Sequence, residues 1–246
     1  MPRLKLTIRE IADLKEGRKT LTELTKTHDG TSLGPVRNQL NNFARKYNQL
    51  DHEEASIYDS NGNELKHITQ NESDQVDLHE ITEYLNKEGI TGCHITHNHP
   101  ILHYADAVPS PLSIPDMDML RIKNDEGEYI YQSITCESKN GYRMTLIKNK
   151  NFSSEDETNF EIATDHFNES CNAYYEAFRK YNKDWSIAHM KEYYNKGYTL
   201  EEFKKESIKH TLEELGTFKD FIYEQRDYDE SFARCNCKLK ITRTNA

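Results

Sequence analysis

Thr96-His97-Asn98-His99-Pro100 closes the apolar run Gly92-Cys93-His94-Ile95-Thr96, and together they read as a short buried strand. Residues i and i+2 of a strand share a face and rise about 3.3 Å each, so His97 and His99 project together with backbones about 6.6 Å apart. Their imidazoles can converge on one ion at about 2.0–2.1 Å. Downstream, Ser113-Ile114-Pro115-Asp116 offers Asp116 as a third ligand. Three protein ligands with one position open to water describe a hydrolytic centre rather than a closed structural one.

The flanks of this strand predict an α/β order. Val36, Leu40, Phe43, Tyr47 and Leu50 recur at helical spacing behind Gly34-Pro35, an amphipathic helix with proline in its first turn. Glu54 to Asp59 and Glu64 to Thr69 are separated by Ser60-Asn61-Gly62-Asn63, and Asn-Gly between such runs signals a hairpin. His79 to Lys87 reads as a helix with Ile81, Tyr84 and Leu85 inward and Gly89 as its stop. Ser113 with Asp116 three residues on also looks like a helix-capping pair, a role compatible with a ligand aspartate. Tyr129 to Thr135 and Tyr142 to Lys148 make a second hairpin through Asn140-Gly141. Strand, strand, helix, strand and then a hairpin predict a mixed sheet flanked by helices.

His97-x-His99-Pro100 followed by Ser113-x-x-Asp116 resembles the metal motif of the JAMM metalloprotease superfamily, most closely its bacterial and phage, RadC-like branch. The resemblance spans residues 36 to 149 and implies the family's cytidine-deaminase-like mixed sheet. It also implies Zn2+ held by His97, His99 and Asp116, and a glutamate on the first strand. Glu53 and Glu54 stand in that place. Strand alternation sends them to opposite faces, and Glu54 is preferred because Glu53 shares a face with the core-like Ala55 and Ile57. Residues 101 to 112 intervene before Ser113 as an insertion, in which His103 and Asp106 are further polar candidates.

What the resemblance implies chemically is hydrolysis of a peptide or isopeptide bond. Glu54 is expected to act as general base on a zinc-activated water and Ser113 to donate to the oxyanion, the latter a contribution of about 3 kcal/mol. The alternative is a catalytically idle structural or assembly module of the same fold, for instance in a phage particle. His94, on the opposite register of the strand, reads as a packed histidine.

Beyond residue 154 the composition turns helical. Ser154 and Glu157 suggest a capping box, and Phe160, Ala163, Phe167, Cys171, Tyr174, Phe178 and Tyr181 form one apolar stripe. A second helix is expected after Asp184, ending at Gly197, and a third from Thr199 with Glu202 in its box. The tail alternates Ala233, Cys235, Cys237, Leu239 and Ile241 with polar residues, a half-buried edge strand in preference to a Cys-x-Cys metal pair. The expected organisation is a helical segment over 1–34 (Ile8, Ile11 and Leu14 at helical spacing), a JAMM-like domain over 35–150, a helical appendage over 151–230, and a terminal strand over 231–246. Helices 154–227 are candidates for a lid or for an assembly contact.

Bulk properties narrow the classes. A net charge of −10 in 246 residues argues against nucleic acid as partner, while the protein or peptide substrate is what the resemblance implies. The N-terminus lacks an apolar signal core, and no apolar run approaches the about 18 residues of a membrane span. Five scattered cysteines suit reduced thiols in a cytoplasm.

Overall fold

The computed structural model describes residues 33–69, 77–100, 112–139, 141–218 and 227–243. The expected helix within 1–34 and the His103/Asp106 loop lie outside the described residues. In chain order the elements are α1 (Arg37–Tyr47), β1 (Glu54–Tyr58), β2 (Glu64–Thr69), α2 (His79–Lys87), β3 (Cys93–His99) and α3 (Ile114–Asp118). There follow β4 (Tyr131–Ser138), β5 (Tyr142–Lys148), α4 (Glu157–Asn195), α5 (Leu200–Leu215), α6 (Asp227–Arg234) and β6 (Cys237–Arg243). The protein is mixed α/β, with one six-stranded sheet in the order β2-β1-β3-β4-β5-β6. Only β3 and β4 run parallel; every other neighbouring pair is antiparallel.

Local chemistry explains the strand ends. Gly62 takes a positive φ of 88° in the first hairpin, and Asp59 Oδ1 accepts the amides of Asn61 and Asn63 at 2.8 Å. Such an aspartate-braced turn with glycine in the left-handed region sets the β1–β2 register. On one sheet face Ala55, Ile57, Ile95, Ile134, Cys136, Met144, Leu239 and Ile241 are buried. Most of them join Leu85 of α2, Met117 of α3 and Phe160, Phe167 and Tyr174 of α4 in one apolar core. The other face is lined by small polar groups: Ser56, Thr96, Thr135 and Thr145 lie in one cross-strand row and are all buried. Tyr58 on that face packs with Leu40 of α1 and with Val36 just before it.

Four expectations about these elements are corrected. The helix expected to stop before Asp184 runs unbroken for 39 residues, because nothing between Tyr181 and Ile187 is glycine or proline. Its capping box lies one residue earlier than expected, on Ser153 and Asp156. Tyr84 of α2 is exposed rather than inward. Ala233 and Cys235 precede the final strand, which nonetheless pairs with β5 at the sheet edge. That pairing, and the sharing of one core by α4 and the sheet, mean that boundaries at 150 and 230 do not separate independent cores.

His94 is 5% exposed and its Nδ1 meets Ser133 Oγ at 2.7 Å, the packed role its register implied. Burial pushes its pKa down to about 4, against an ordinary value of 6.5. Between those values the unfolded chain binds a proton that the folded chain refuses, so stability falls as pH drops through the window. A His94→Gln variant should therefore lose about 2 kcal/mol less than the native chain between pH 7 and pH 5, read from urea melts. Equal pH slopes for the two proteins would refute the assignment.

Candidate metal centre

β3 delivers two imidazoles from its C-terminal end, on the core side of the sheet. His97 Nε2 and His99 Nε2 stand 3.0 Å apart, with His97 side chain buried to 6% exposure. α3 supplies the carboxylate. Asp116 Oδ1 lies 3.3 Å from His97 Nε2, and Oδ2 lies 3.5 Å from His99 Nε2. A tetrahedral ion with bonds of about 2.0–2.1 Å has ligand atoms about 3.3–3.4 Å apart, along the tetrahedron's edges. The two nitrogens are spaced close to such an edge, and each faces a different oxygen of the Asp116 carboxylate at a similar distance.

Met117 of α3, buried in the core of the sheet, holds the short helix beside β3, and the helix's own cap orients Asp116. Ser113 Oγ accepts Asp116 N at 3.2 Å, while Ser113 N and Ser113 Oγ each donate to Asp116 Oδ2 at 2.7 Å. This reciprocal box satisfies first-turn amides and orients the carboxylate towards the histidines. Ser113's hydroxyl proton is thus committed to Asp116. It is a positioning residue in this geometry rather than a free oxyanion donor.

The electrostatics couple His97 and Asp116. Burial tends to push the His97 pKa down, but the neighbouring Asp116 carboxylate outweighs it and the net shift is upward. Burial likewise tends to raise Asp116, yet His97 and His99 hold it well below the ordinary carboxylate range. A metal ion entering here competes with a proton on the imidazoles, so binding weakens on acidification.

The glutamate expectation is corrected. Glu54 does not face the centre: its Oε1 meets His52 Nε2 at 2.9 Å, and its Oε2 meets His67 Nε2 and Thr69 Oγ1 at 2.8 Å each. Glu53 is the acid on the metal side, its Oε1 3.8 Å from His99 Nε2. Ala55 pairs with His97, so the core-facing side of β1 is also the side of the imidazoles. Sharing a face with Ala55 and Ile57 therefore places Glu53 in the site instead of excluding it.

Asn98, between the two ligands, explains how Glu53 is held. Its side chain points to the opposite face, is fully buried, accepts Glu54 N at 2.7 Å and donates to His52 O at 2.9 Å. One amide group thereby clamps the backbone on both sides of Glu53. The His-Asn-His wording carried that signal, but reading it needs the β1–β3 pairing.

Cys136 is the donor that sequence reasoning missed. It sits on β4 directly across from His97 in the parallel β3–β4 register. One nitrogen from each of His97 and His99 and Cys136 Sγ lie within 4.8 Å of one another, a buried group that could hold a metal ion. Burial pushes its thiol pKa well up, and the carboxylates of Asp116, Glu137 and Glu53 push the same way. α4 also reaches this corner. Burial, with Cys171 and Cys136 adding to it, holds the Tyr175 phenol well above its ordinary range. Behind His97, fully buried Glu137 is paired with Arg143. Cys237 opens the far edge strand and Cys235 precedes it, and no metal-competent group forms around them among the described residues.

Comparisons with known protein families, with curated proteins and with solved structures find no match for this chain.

Proposed function

We propose that this protein is a zinc-dependent hydrolase of peptide or isopeptide bonds, a JAMM-like metallopeptidase whose general base is Glu53. The observation that carries the reading is the convergence of His97 Nε2 and His99 Nε2, 3.0 Å apart, on the Asp116 carboxylate, with a second carboxylate beside them. When bound, zinc supplies Lewis acidity that polarises a carbonyl and brings the pKa of a water towards about 7. Glu53 takes the water's proton on its carboxylate and hands it to the leaving amine, the transfer that makes amide cleavage downhill. Asn98 keeps that carboxylate aimed by fixing the backbone on either side. Ser113 keeps Asp116 turned to the histidines. A protein or peptide substrate is in keeping with the negative net charge, which disfavours nucleic acid.

The test is hydrolysis by the zinc-loaded full chain on a panel of linear and isopeptide-linked substrates. Glu53→Gln should lower the rate by about 10²-fold or more with zinc stoichiometry unchanged. Glu54→Gln should leave it within a few fold, since that carboxylate faces the other side of the sheet. The reverse pattern, with Glu54→Gln inactive and Glu53→Gln intact, would remove Glu53 from the role.

A second reading, an assembly module, is favoured by one observation. Ile187, Met190 and Tyr194 on α4, with Leu200 at the start of α5, are 52–78% exposed at the far end of the helical hairpin. Apolar residues grouped in this way on a helix are characteristic of contact surfaces. Among the described residues no helix is long and apolar enough to cross a membrane.

A further inference from the structure

We propose that Cys136 is a fourth protein ligand in the resting metal centre, so that its sulfur stands where the hydrolytic water must go and latches the site shut. The proposal rests on the metal-centre reading above and adds a regulatory element to it.

The placement comes from the sheet. Parallel pairing sets Cys136 opposite His97, and alternation points both side chains to the core face. With nitrogen bonds of about 2.0–2.1 Å and sulfur bonds of about 2.3 Å, nitrogen and sulfur on one tetrahedral ion stand about 3.5–3.6 Å apart. Here the sulfur and the two imidazole nitrogens are all within 4.8 Å of one another, close enough to share one ion after a small side-chain adjustment. His97 and Cys136 are both buried, at 5% and 1% exposure. A thiolate is a stronger ligand for zinc than water. On binding, the sulfur–hydrogen bond gives way to a sulfur–metal bond and the proton passes to the solvent. Hydrolysis then requires the sulfur to yield its position to water, and a substrate carbonyl entering beside Glu53 is the group that would displace it.

Cobalt(II) reports the ligand directly, because a sulfur ligand adds an intense near-ultraviolet charge-transfer band that nitrogen and oxygen donors lack. Full-length protein titrated with Co2+ should develop that band to one equivalent. Cys136→Ser and Cys136→Ala should bind one equivalent without it, whereas a Cys235→Ser/Cys237→Ser variant should keep it. Zinc affinity in a chelator competition should fall about tenfold or more in Cys136→Ser. A native protein that binds one Co2+ with no such band, or a band that survives in both Cys136 variants, overturns the latch and leaves the hydrolase reading standing. A native protein that binds neither Co2+ nor Zn2+ overturns both.

Discussion

One equivalent of Zn2+ is expected to raise the melting temperature of the full chain by about 8–16 °C at a free concentration near 1,000 times the dissociation constant. A ligand that binds only the folded state stabilises it by about 4 kcal/mol at that ratio, and a domain of this size gains about 2–4 °C per kcal/mol. The effect is large because the donors are already gathered: His97 and His99 nitrogens at 3.0 Å and the Asp116 oxygens at 3.3 and 3.5 Å need almost no reorganisation. His97→Ala and Asp116→Ala should each abolish most of the zinc-dependent shift in a thermal melt. His94→Gln, one register off on the same strand, should retain it. The increment should shrink as pH falls from 7.5 to 6, since Asp116 raises the affinity of His97 for the competing proton. A melting temperature indifferent to zinc would end the metal-centre reading.

The second large effect concerns the ion pair behind the site. Glu137 has no exposed surface and its Oε1 takes the Nε–H of Arg143, whose Nη1 in turn donates to Asn41 of α1 at 3.0 Å. Burial pushes the Glu137 pKa up to about 7 even with Arg143 pulling it down. Removing one member of a buried pair leaves an uncompensated charge and costs about 3–5 kcal/mol. Arg143→Met should therefore lower the melting temperature by about 6–20 °C at pH 8. A carboxyl whose folded pKa is raised holds a proton that the unfolded chain has already lost, so its penalty grows as pH rises. In Arg143→Met the folded pKa rises further, and the deficit should be smaller at pH 5 than at pH 8. Adding Glu137→Gln should recover part of it by removing the stranded charge. A deficit under about 1 kcal/mol at pH 8, or one that does not change with pH, would show that the pair is not what supports this corner.

The two readings of the molecule, hydrolase and assembly module, are separated by these measurements. Zinc-dependent stability together with a Glu53-dependent rate supports an enzyme. A chain indifferent to zinc, whose exposed Ile187, Met190 and Tyr194 govern self-association, supports a module.

Much of this was legible in one dimension. The hairpin at Asn61-Gly62, the helix stopped by Gly89, the capping boxes at Ser113/Asp116 and Thr199/Glu202 and the final edge strand are local matters, set by residues within a few positions of one another. The pairing of His97 with His99 is equally local, because strand geometry alone puts them on one side. What needed the tertiary structure was every decision about which side that is. Glu53 and Glu54 differ by a single residue, and alternation says only that they diverge. Nothing short of the β1–β3 register, with Ala55 against His97, shows that the imidazoles share the core face with Glu53. Cys136 was silent for the same reason. Its distance from His97 along the chain is 39 residues, and only the parallel β3–β4 pairing closes that gap. Side-chain period is a property of the strand, whereas the identity of the face belongs to the sheet. A catalytic or metal centre built across three strands and a helix cap is therefore written in the sequence as ingredients and assembled only by long-range pairing.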